Sequence, residues 1–405
     1  MDNIILGVNI SHDTSIALVD ETTGEVLDVY EEERCRRSKY WDPTKNTGVD
    51  KDQHHLQSIY QKNISDAGHL VFSSFDRRDF MIDIDPQLRL DRIKSRELIS
   101  RINSKQMSRK DFDKLQEDFP ELHFTGVWKK FGVEPGSDEE IMNSIAHQLG
   151  RKPGDFAYRI NHHVHHAYSG YFLSPYFKED NEDALIIVWD GGGARMLFDE
   201  FPNHQETESI YFGESDGVIT PLYRKMSDHR FHGNIDHLFP NDVQNITACL
   251  TDEEFTLDDV DYCLTSMPSS GMNFSNMSQA LGTDDLGRAA GKVMGMASYG
   301  RILPNVYDTH TMSQQLEVDS FEASCKIIQK ALDYKPECKN IVLSGGYSLN
   351  CTNNYKYLQA FPDINFFVDP IPHDGGTAVG CAIEYYYDMK FNKDEESEQT
   401  EGGEK

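Results

Sequence analysis

The sequence predicts an α/β protein built by internal duplication, and three observations carry that prediction. Apolar segments short enough for strands alternate with longer segments of helical spacing. A strand–loop–strand unit with a bend of small residues occurs near the N-terminus and again after residue 184. Three Gly-Gly turns, at 191–193, 345–346 and 375–376, each follow an apolar strand. The chain has 405 residues. At roughly 100–200 residues per domain that is too long for one ordinary core, so two compact units are expected.

The first unit opens with ILGVNISHDTSIALVDETTGEVLDVYEEER, which reads as strand, polar loop, strand, turn at Thr23-Gly24 and third strand, an antiparallel meander. Residues 89–150 carry helical spacing, with turn signals at Pro120, Pro135 and Pro153, and read as an insertion or the helical part of the first lobe. DALIIVWDGGGARMLFDE repeats the opening plan, with a strand ending at Asp190 and a second strand beginning at Arg195. From Asp252 to Gly300 helical spacing is expected again, and the small residues of GRAAGKVMGMASYG suit close packing. FEASCKIIQKALDY reads as a helix, KNIVLSGGYSLNCTNNYKYLQ as strand, glycine turn and helix, and INFFVDPIPHDGGTAVGCAIEYYYDM as strand, glycine loop and last helix. The acidic FNKDEESEQTEGGEK closes the chain as an expected disordered tail.

Composition narrows the function. Hydrophobic residues make up 38% and aromatics 11%, enough to fill cores, so the chain does not read as disordered. A net charge of −29 disfavours bulk attraction to a phosphate backbone. Lys and Arg nevertheless gather over 89–110, either as a solvated helix face or as a local guide for a polyanion. Seven scattered cysteines without a C-x-x-C pair fit free thiols in a cytoplasmic protein. No stretch approaches the ~18–20 apolar residues that span a bilayer, so no membrane partner is expected.

Three segments are candidates for chemistry. In NHHVHHA, His162 and His166 stand four apart and share one helical face, the spacing a metal ion requires of two ligands from one helix. A carboxylate should complete such a site, and Asp374 and Asp190 are the best donors because each sits where a strand gives way to a glycine loop. The competing reading is that the histidines pack or cap a helix. The glycine turns are the second candidate. Gly345 and Gly346, and likewise Gly192 and Gly375, let backbone N–H groups approach a phosphate or ribose, although a lone Gly-Gly pair usually only punctuates. The third is the bend NISHDTS, where His12 suits a general base and Asp13 equally suits an Asx-type turn. The run Glu31, Glu32, Glu33, Arg34 reads as a solvated edge.

Five segments, in order, resemble the carbamoyltransferases that modify nodulation factors, tobramycin and cephamycins. They are GVNISHDTSIALVD; EEERCRRSKYW; HHVHHAYSGYFLSP; GKVMGMASYG; and LSGGYSLNCTNN followed by HDGGTAVGCA, together spanning nearly residues 4–385. The resemblance implies a two-lobed fold of the actin/hexokinase ATPase superfamily, related to the tRNA threonylcarbamoyl transferase. Residues 1–180 would form the first lobe with its helical insertion, 181–388 the second, and 389–405 the tail. It implies an enzyme that moves a carbamoyl group from carbamoyl adenylate, made from carbamoyl phosphate and ATP, to a hydroxyl. His162, His166, Asp374 and Asp190 would hold Fe2+, with Mn2+ or Zn2+ as alternatives. His12, Asp13 and Asp190 would be catalytic, and Lys292, Gly345, Gly346, Asn350, Gly192 and Gly375 would line the nucleotide site. Ala290 stands where the family often has Glu. The family's adenylate-forming C-terminal domain is not within these residues, so that step is expected from a separate protein or from sequence beyond this chain.

A sugar-like or other small hydroxylated acceptor is the leading expectation. A hydroxymethylated pyrimidine in DNA or a nucleotide offers the same primary alcohol. The alternative from a different class is a non-catalytic, nucleotide-binding actin-like partner subunit with structural histidines.

Overall fold

Ile4–Asn9 forms β1, and five of its six residues are buried because the strand is covered on both faces. It pairs antiparallel with β2 (Ser15–Asp20), which pairs antiparallel with β3 (Val26–Glu31), confirming the opening meander. The computed structural model describes residues 3–11, 13–37, 41, 56–62, 64, 67–73, 83–84, 122–123, 138–159, 162–193, 195–196, 204–228, 253–257, 259–265, 269–283, 289–302 and 308–401. The His12 loop tip, most of the helical insertion and the basic segment 89–110 lie outside these residues.

The chain divides into two units. The first draws on Met1–Asp85, Lys105–Phe172 and Asp374–Lys405, the second on Pro86–Ser104 and Leu173–His373. They are not consecutive halves split near residue 180, because the last helix returns to the first unit. Short helices α1 (Glu32–Arg36) and α2 (Gln57–Gln61) follow the meander. Then come β4 (His69–Ser73), the two-residue strands β5 (Asp83–Ile84) and β6 (Leu122–His123), α3 (Asp138–Gln148), β7 (Ala157–Arg159) and α4 (His162–Leu173). The first sheet has the order β3-β2-β1-β4-β7, with β4 parallel to β1 and β7 parallel to β4.

In the second unit β8 (Ala184–Trp189), β9 (Arg195–Met196), β10 (His204–Gly213) and β11 (Ile219–Asp228) precede β12 (Glu253–Leu257) and β13 (Val260–Thr265). Helices α5 (Ser270–Ala280), α6 (Ala290–Ala297) and α7 (Thr309–Tyr334) follow, then β14 (Asn340–Ser344), α8 (Cys351–Ala360) and β15 (Asn365–Val368). The sheet order is β12-β13-β11-β10-β8-β14-β15. Its stretch β11-β10-β8-β14-β15 runs antiparallel, antiparallel, parallel, parallel, the same order and directions as the first sheet. This repeated plan is the actin-like duplication expected from the sequence. Trp189, Phe274, Ile328, Leu343 and Tyr357 lie in the core of the second unit, where α5, α6 and α7 cover one face of the sheet.

Several elements differ from expectation, each for a visible reason. The strand beginning at Arg195 is only two residues long, and the true partner of β8 is β10. Residues 253–265 form the hairpin β12–β13 and not a helix: Val260, Tyr262 and Leu264 alternate along one strand face and pack with Met226. The turn between the strands places Asp259 at φ 62°, a left-handed conformation that Asp tolerates. Within GRAAGKVMGMASYG the close packing falls on Gly300, where a Cβ would lie 2.0 Å from the His310 carbonyl oxygen, and not on Gly291 or Gly295, which meet no neighbour within 4 Å among the described residues. Glu32 is completely buried and not a solvated edge. It accepts from Gln57 N (3.0 Å), Ser58 N (2.7 Å), the Ser58 hydroxyl and Arg36 Nε (2.9 Å), joining α1 to the start of α2. The last helix, α9 (Thr377–Glu401), runs into the expected disordered tail, whose Lys, Glu and Gln residues are good helix formers. No helix among the described residues is long and apolar enough to cross a membrane.

Candidate functional site

Two helices of the first unit build the site. The first is α4, whose residues from His162 to Phe172 are all buried. The other is α9, which is entered through a tight turn at Asp374–Gly376. The two approach closely: a Cβ on Gly380 would fall 1.8 Å from the His165 carbonyl oxygen, so only glycine permits the contact.

The expected metal ligands of this unit meet here. His162 Nε2 and His166 Nε2 are 3.2 Å apart, and Asp374 Oδ1 lies 3.5 Å from the first and 3.8 Å from the second. All three side chains are at most 4% exposed. A metal–nitrogen bond of about 2.1 Å gives donor–donor edges of about 3.0 Å in an octahedron and about 3.4 Å in a tetrahedron. The triangle has one edge in that range and two slightly wider, the size of one face of a single-ion site before an ion draws the donors in. The donor set, two imidazoles and one carboxylate, is that of an Fe, Mn or Zn centre.

The Asp374 carboxyl is oriented by the loop after β1. Ser11 Oγ donates to Asp374 Oδ2 at 3.2 Å, on the oxygen away from the histidines. Asn9 Nδ2 donates to the Asp374 backbone carbonyl at 2.9 Å and to the Asp13 carbonyl at 3.1 Å, while Asn9 Oδ1 accepts from Ser11 N. Ser15 Oγ donates to the Gly375 carbonyl at 2.7 Å. Asn9, Ser11 and Ser15 of NISHDTS therefore serve the geometry of the glycine turn at 374–376. Asp13 contributes its backbone to that arrangement and is partly exposed. His12, between Ser11 and Asp13, lies outside the described residues.

His165 carries a second, fully buried arrangement. Its Nδ1 is 2.8 Å from Ser73 Oγ, and its Nε2 is 3.0 Å from Glu384 Oε2. With Glu384 as a carboxylate, which only accepts, the ring donates from Nε2 and accepts the Ser73 hydroxyl at Nδ1. Burial lowers the His165 pKa below its ordinary value, against the opposing pull of Glu384. Further along the same face of α9, Asp388 pairs with Arg159 at the end of β7.

The second unit holds the other expected residues. Asp190 leaves the end of β8, where its Oδ1 accepts from Gly346 N at 2.9 Å and its Oδ2 faces Gly192 N at 3.5 Å. Neighbouring parallel strands β8 and β14 thus end in two glycine turns joined by one carboxylate. Gly345 adopts φ 86°, and a Cβ there would lie 2.4 Å from the Trp189 carbonyl oxygen. Asn350 is turned inward: Oδ1 caps α8 by accepting from Asn353 N, and Nδ2 donates to Glu317 Oε2 at 3.0 Å. Burial raises the Glu317 pKa, while Asn350 and Lys356 oppose it. Lys292 stands exposed on α6.

A family model described as carbamoyltransferase N-terminus matches residues 4–336. The chain belongs to this carbamoyltransferase family. No curated protein matches it. Among solved structures it is similar to full-length HypF in a phosphate- and nucleotide-bound form, at 10% identity and TM-score 0.45, covering 95% of this chain and 55% of that one. It is also similar to HypF from T. kodakarensis, at 11% identity and TM-score 0.43, covering 96% and 47%. A ROK family protein from Streptococcus pneumoniae TIGR4 gives 11% identity and TM-score 0.40, covering 96% and 99%. The chain spans about half the length of the HypF structures it matches. Likenesses at this level say nothing of activity.

The family match covers four of the five motif segments fully, and the third of them carries the two histidines of the triangle with Asp374. Sequence reasoning missed Ser73, Glu384 and the buried role of Glu32. A serine at the end of a strand and a glutamate within a helix have no local signature, since their partner His165 is 92 and 219 residues away.

Proposed function

We propose that this carbamoyltransferase-family chain transfers a carbamoyl group from carbamoyl adenylate, made from carbamoyl phosphate and ATP by a separate domain or protein, to a hydroxyl of a sugar-like or other small molecule. The observation that best supports this reading is the convergence of His162, His166 and Asp374 on one small, buried triangle. A bound divalent ion, Fe2+ with Mn2+ or Zn2+ as alternatives, would supply Lewis-acid stabilisation of charge on carbonyl and phosphate oxygens.

The chain's own residues supply the rest. His162 and His166 present Nε2 atoms, and Ser11 holds Asp374 so that Oδ1 faces them. Asp190 is proposed as a further donor. Gly192, Gly345, Gly346 and Gly375, with Lys292 and Asn350, are proposed to line the site for the nucleotide part of the donor, the glycines by leaving room beside the backbone and Lys292 as a cation. His12, beside Asp13, is the proposed base. It takes the acceptor's hydroxyl proton as the new oxygen–carbon bond forms, and the carbon–oxygen bond to the adenylate phosphate breaks with its electron pair leaving on AMP.

The test is a mass-spectrometric transfer assay with purified chain, carbamoyl adenylate, ferrous or manganous ion and a panel of sugar, nucleoside and DNA hydroxyls. The expected product is a small acceptor heavier by one carbamoyl group, formed by the natural chain and lost in His166→Ala at unchanged fold. Nucleotide binding with no product on any acceptor, and with no change in metal content in His166→Ala, would instead establish a non-catalytic partner subunit.

A further inference from the structure

His165 sits on α4 between the two histidines of the triangle, yet it faces Ser73 and Glu384. We propose that Ser73, His165 and Glu384 form a positioning chain that fixes the rotation of α4 about its axis and so aims His162 and His166 at Asp374. The inference rests on reading that triangle as a metal site, and assigns its alignment to three residues outside it.

Three observations carry it. First, Ser73, His165 and Glu384 are all 0% exposed, so their hydrogen bonds have no competition from water. Second, the helices leave no slack at this point, because Gly380 of α9 is pressed against the His165 carbonyl and Glu384 follows one turn later on the same face. Third, α9 starts directly after the turn that carries Asp374. The hydrogen bond from His165 to Glu384 therefore ties the helix bearing two donors to the helix that positions the third.

The required tolerance makes the tie consequential. A rotation of α4 by about 10° swings an atom about 6 Å from the helix axis through about 1 Å. Metal–ligand distances tolerate only about 0.2 Å. Both Nε2 atoms would move together, because positions 162 and 166 lie on one face of the same helix. Ser73, at the end of β4, holds the opposite nitrogen of the His165 ring and references the helix to the sheet.

The test uses the full chain, stripped of metal and titrated with Co2+, read by the d–d absorption bands and by competition with a chelator. The natural chain should bind one Co2+, and His166→Ala should abolish binding. Glu384→Ala should weaken Co2+ about 10–100-fold and shift its bands, with far-ultraviolet circular dichroism unchanged. Glu384→Gln, whose amide oxygen still accepts from Nε2, should recover most of the affinity and the natural spectrum. If Glu384→Ala does not fold, Ser73→Ala cuts only the far hydrogen bond and should weaken binding about tenfold. Natural affinity and spectrum in folded Glu384→Ala, or in Ser73→Ala should that variant be the one needed, would overturn the positioning chain and leave the triangle standing. Failure of the natural chain to bind Co2+, or undiminished binding in His166→Ala, would overturn the metal reading and this inference with it.

Discussion

Asp374 is used three ways: Oδ1 faces two imidazoles, Oδ2 accepts from Ser11, and the backbone carbonyl accepts from Asn9. That economy is typical of a carboxylate that must be held in one orientation, because an ion requires a fixed oxygen and not merely a nearby charge. The residues that meet here were legible from the sequence, since a four-residue spacing of histidines on a helix and an Asp before Gly-Gly are local patterns. Their supports were not, because hydrogen bonds such as Ser73 to His165 form only after folding. Asp261 shows the same single-residue logic away from the site. The Thr256 hydroxyl (2.6 Å) and then the Tyr334 hydroxyl (2.5 Å) hold its carboxyl below the usual range. A depressed folded-state pKa contributes stability that is present above the unfolded value, near 3.9, and is lost as pH falls through the lower folded value. Tyr334→Phe should therefore cost about 0.5–1 kcal/mol at pH 7, at the low end for a bond to a charged group because Asp261 is near the surface. Urea denaturation should show the cost shrinking as pH falls from 7 to below the unfolded carboxylate value; a loss that does not change with pH would mean that only ring packing had been disturbed.

At the scale of elements, α9 explains why the first unit is discontinuous in sequence. Its Ala378 and Cys381 side face the first sheet, where Cys381 Sγ lies 3.8 Å from the Val71 carbonyl, while Gly380, Glu384 and Asp388 face α4 and β7. The helix was legible from its apolar content; its return to the first unit was not, because nothing local marks which sheet a terminal helix covers. The hairpin β12–β13 was missed for the opposite reason: Phe255, Leu257, Val260, Tyr262 and Leu264 alternate, but charged residues between them mimic a helical face. Gly380→Ala tests the packing of α9 directly. Alanine favours a helix by up to about 1 kcal/mol, yet its Cβ would sit 1.8 Å from the His165 carbonyl oxygen. Overpacking costs typically about 1–3 kcal/mol and more against backbone, so the clash wins. Thermal unfolding should show net destabilisation of about 2 kcal/mol. A neutral or stabilised variant would mean that α4 and α9 yield easily, and would weaken any role for their crossing in aligning the histidines.

At the scale of the whole molecule, the repeated strand order was visible as two strand–loop–strand units, because β1–β2 and the apolar β8 each end at a bend of small residues. The charge of the molecule bears on the proposed acceptor class. A net charge of −29 disfavours the approach of a polyanion on the whole, and the Lys- and Arg-rich segment 89–110 must overcome that field locally to guide a strand. Exposed charges separated by more than about 8 Å are largely screened at physiological salt, so the repulsion weakens there, but so does any attraction from scattered Lys and Arg. Bulk attraction then supplies none of the several simultaneous phosphate contacts on which non-specific binding draws. Fluorescence anisotropy with a labelled single strand at about 150 mM salt should therefore show no binding up to about 100 μM protein. Neutralising Lys94, Arg96, Arg101 and Lys105 should change nothing. Binding in the micromolar range that this fourfold variant abolishes would reverse the assignment: the basic segment would then be a strand guide, and a hydroxymethylated base would replace the sugar hydroxyl as the acceptor to pursue.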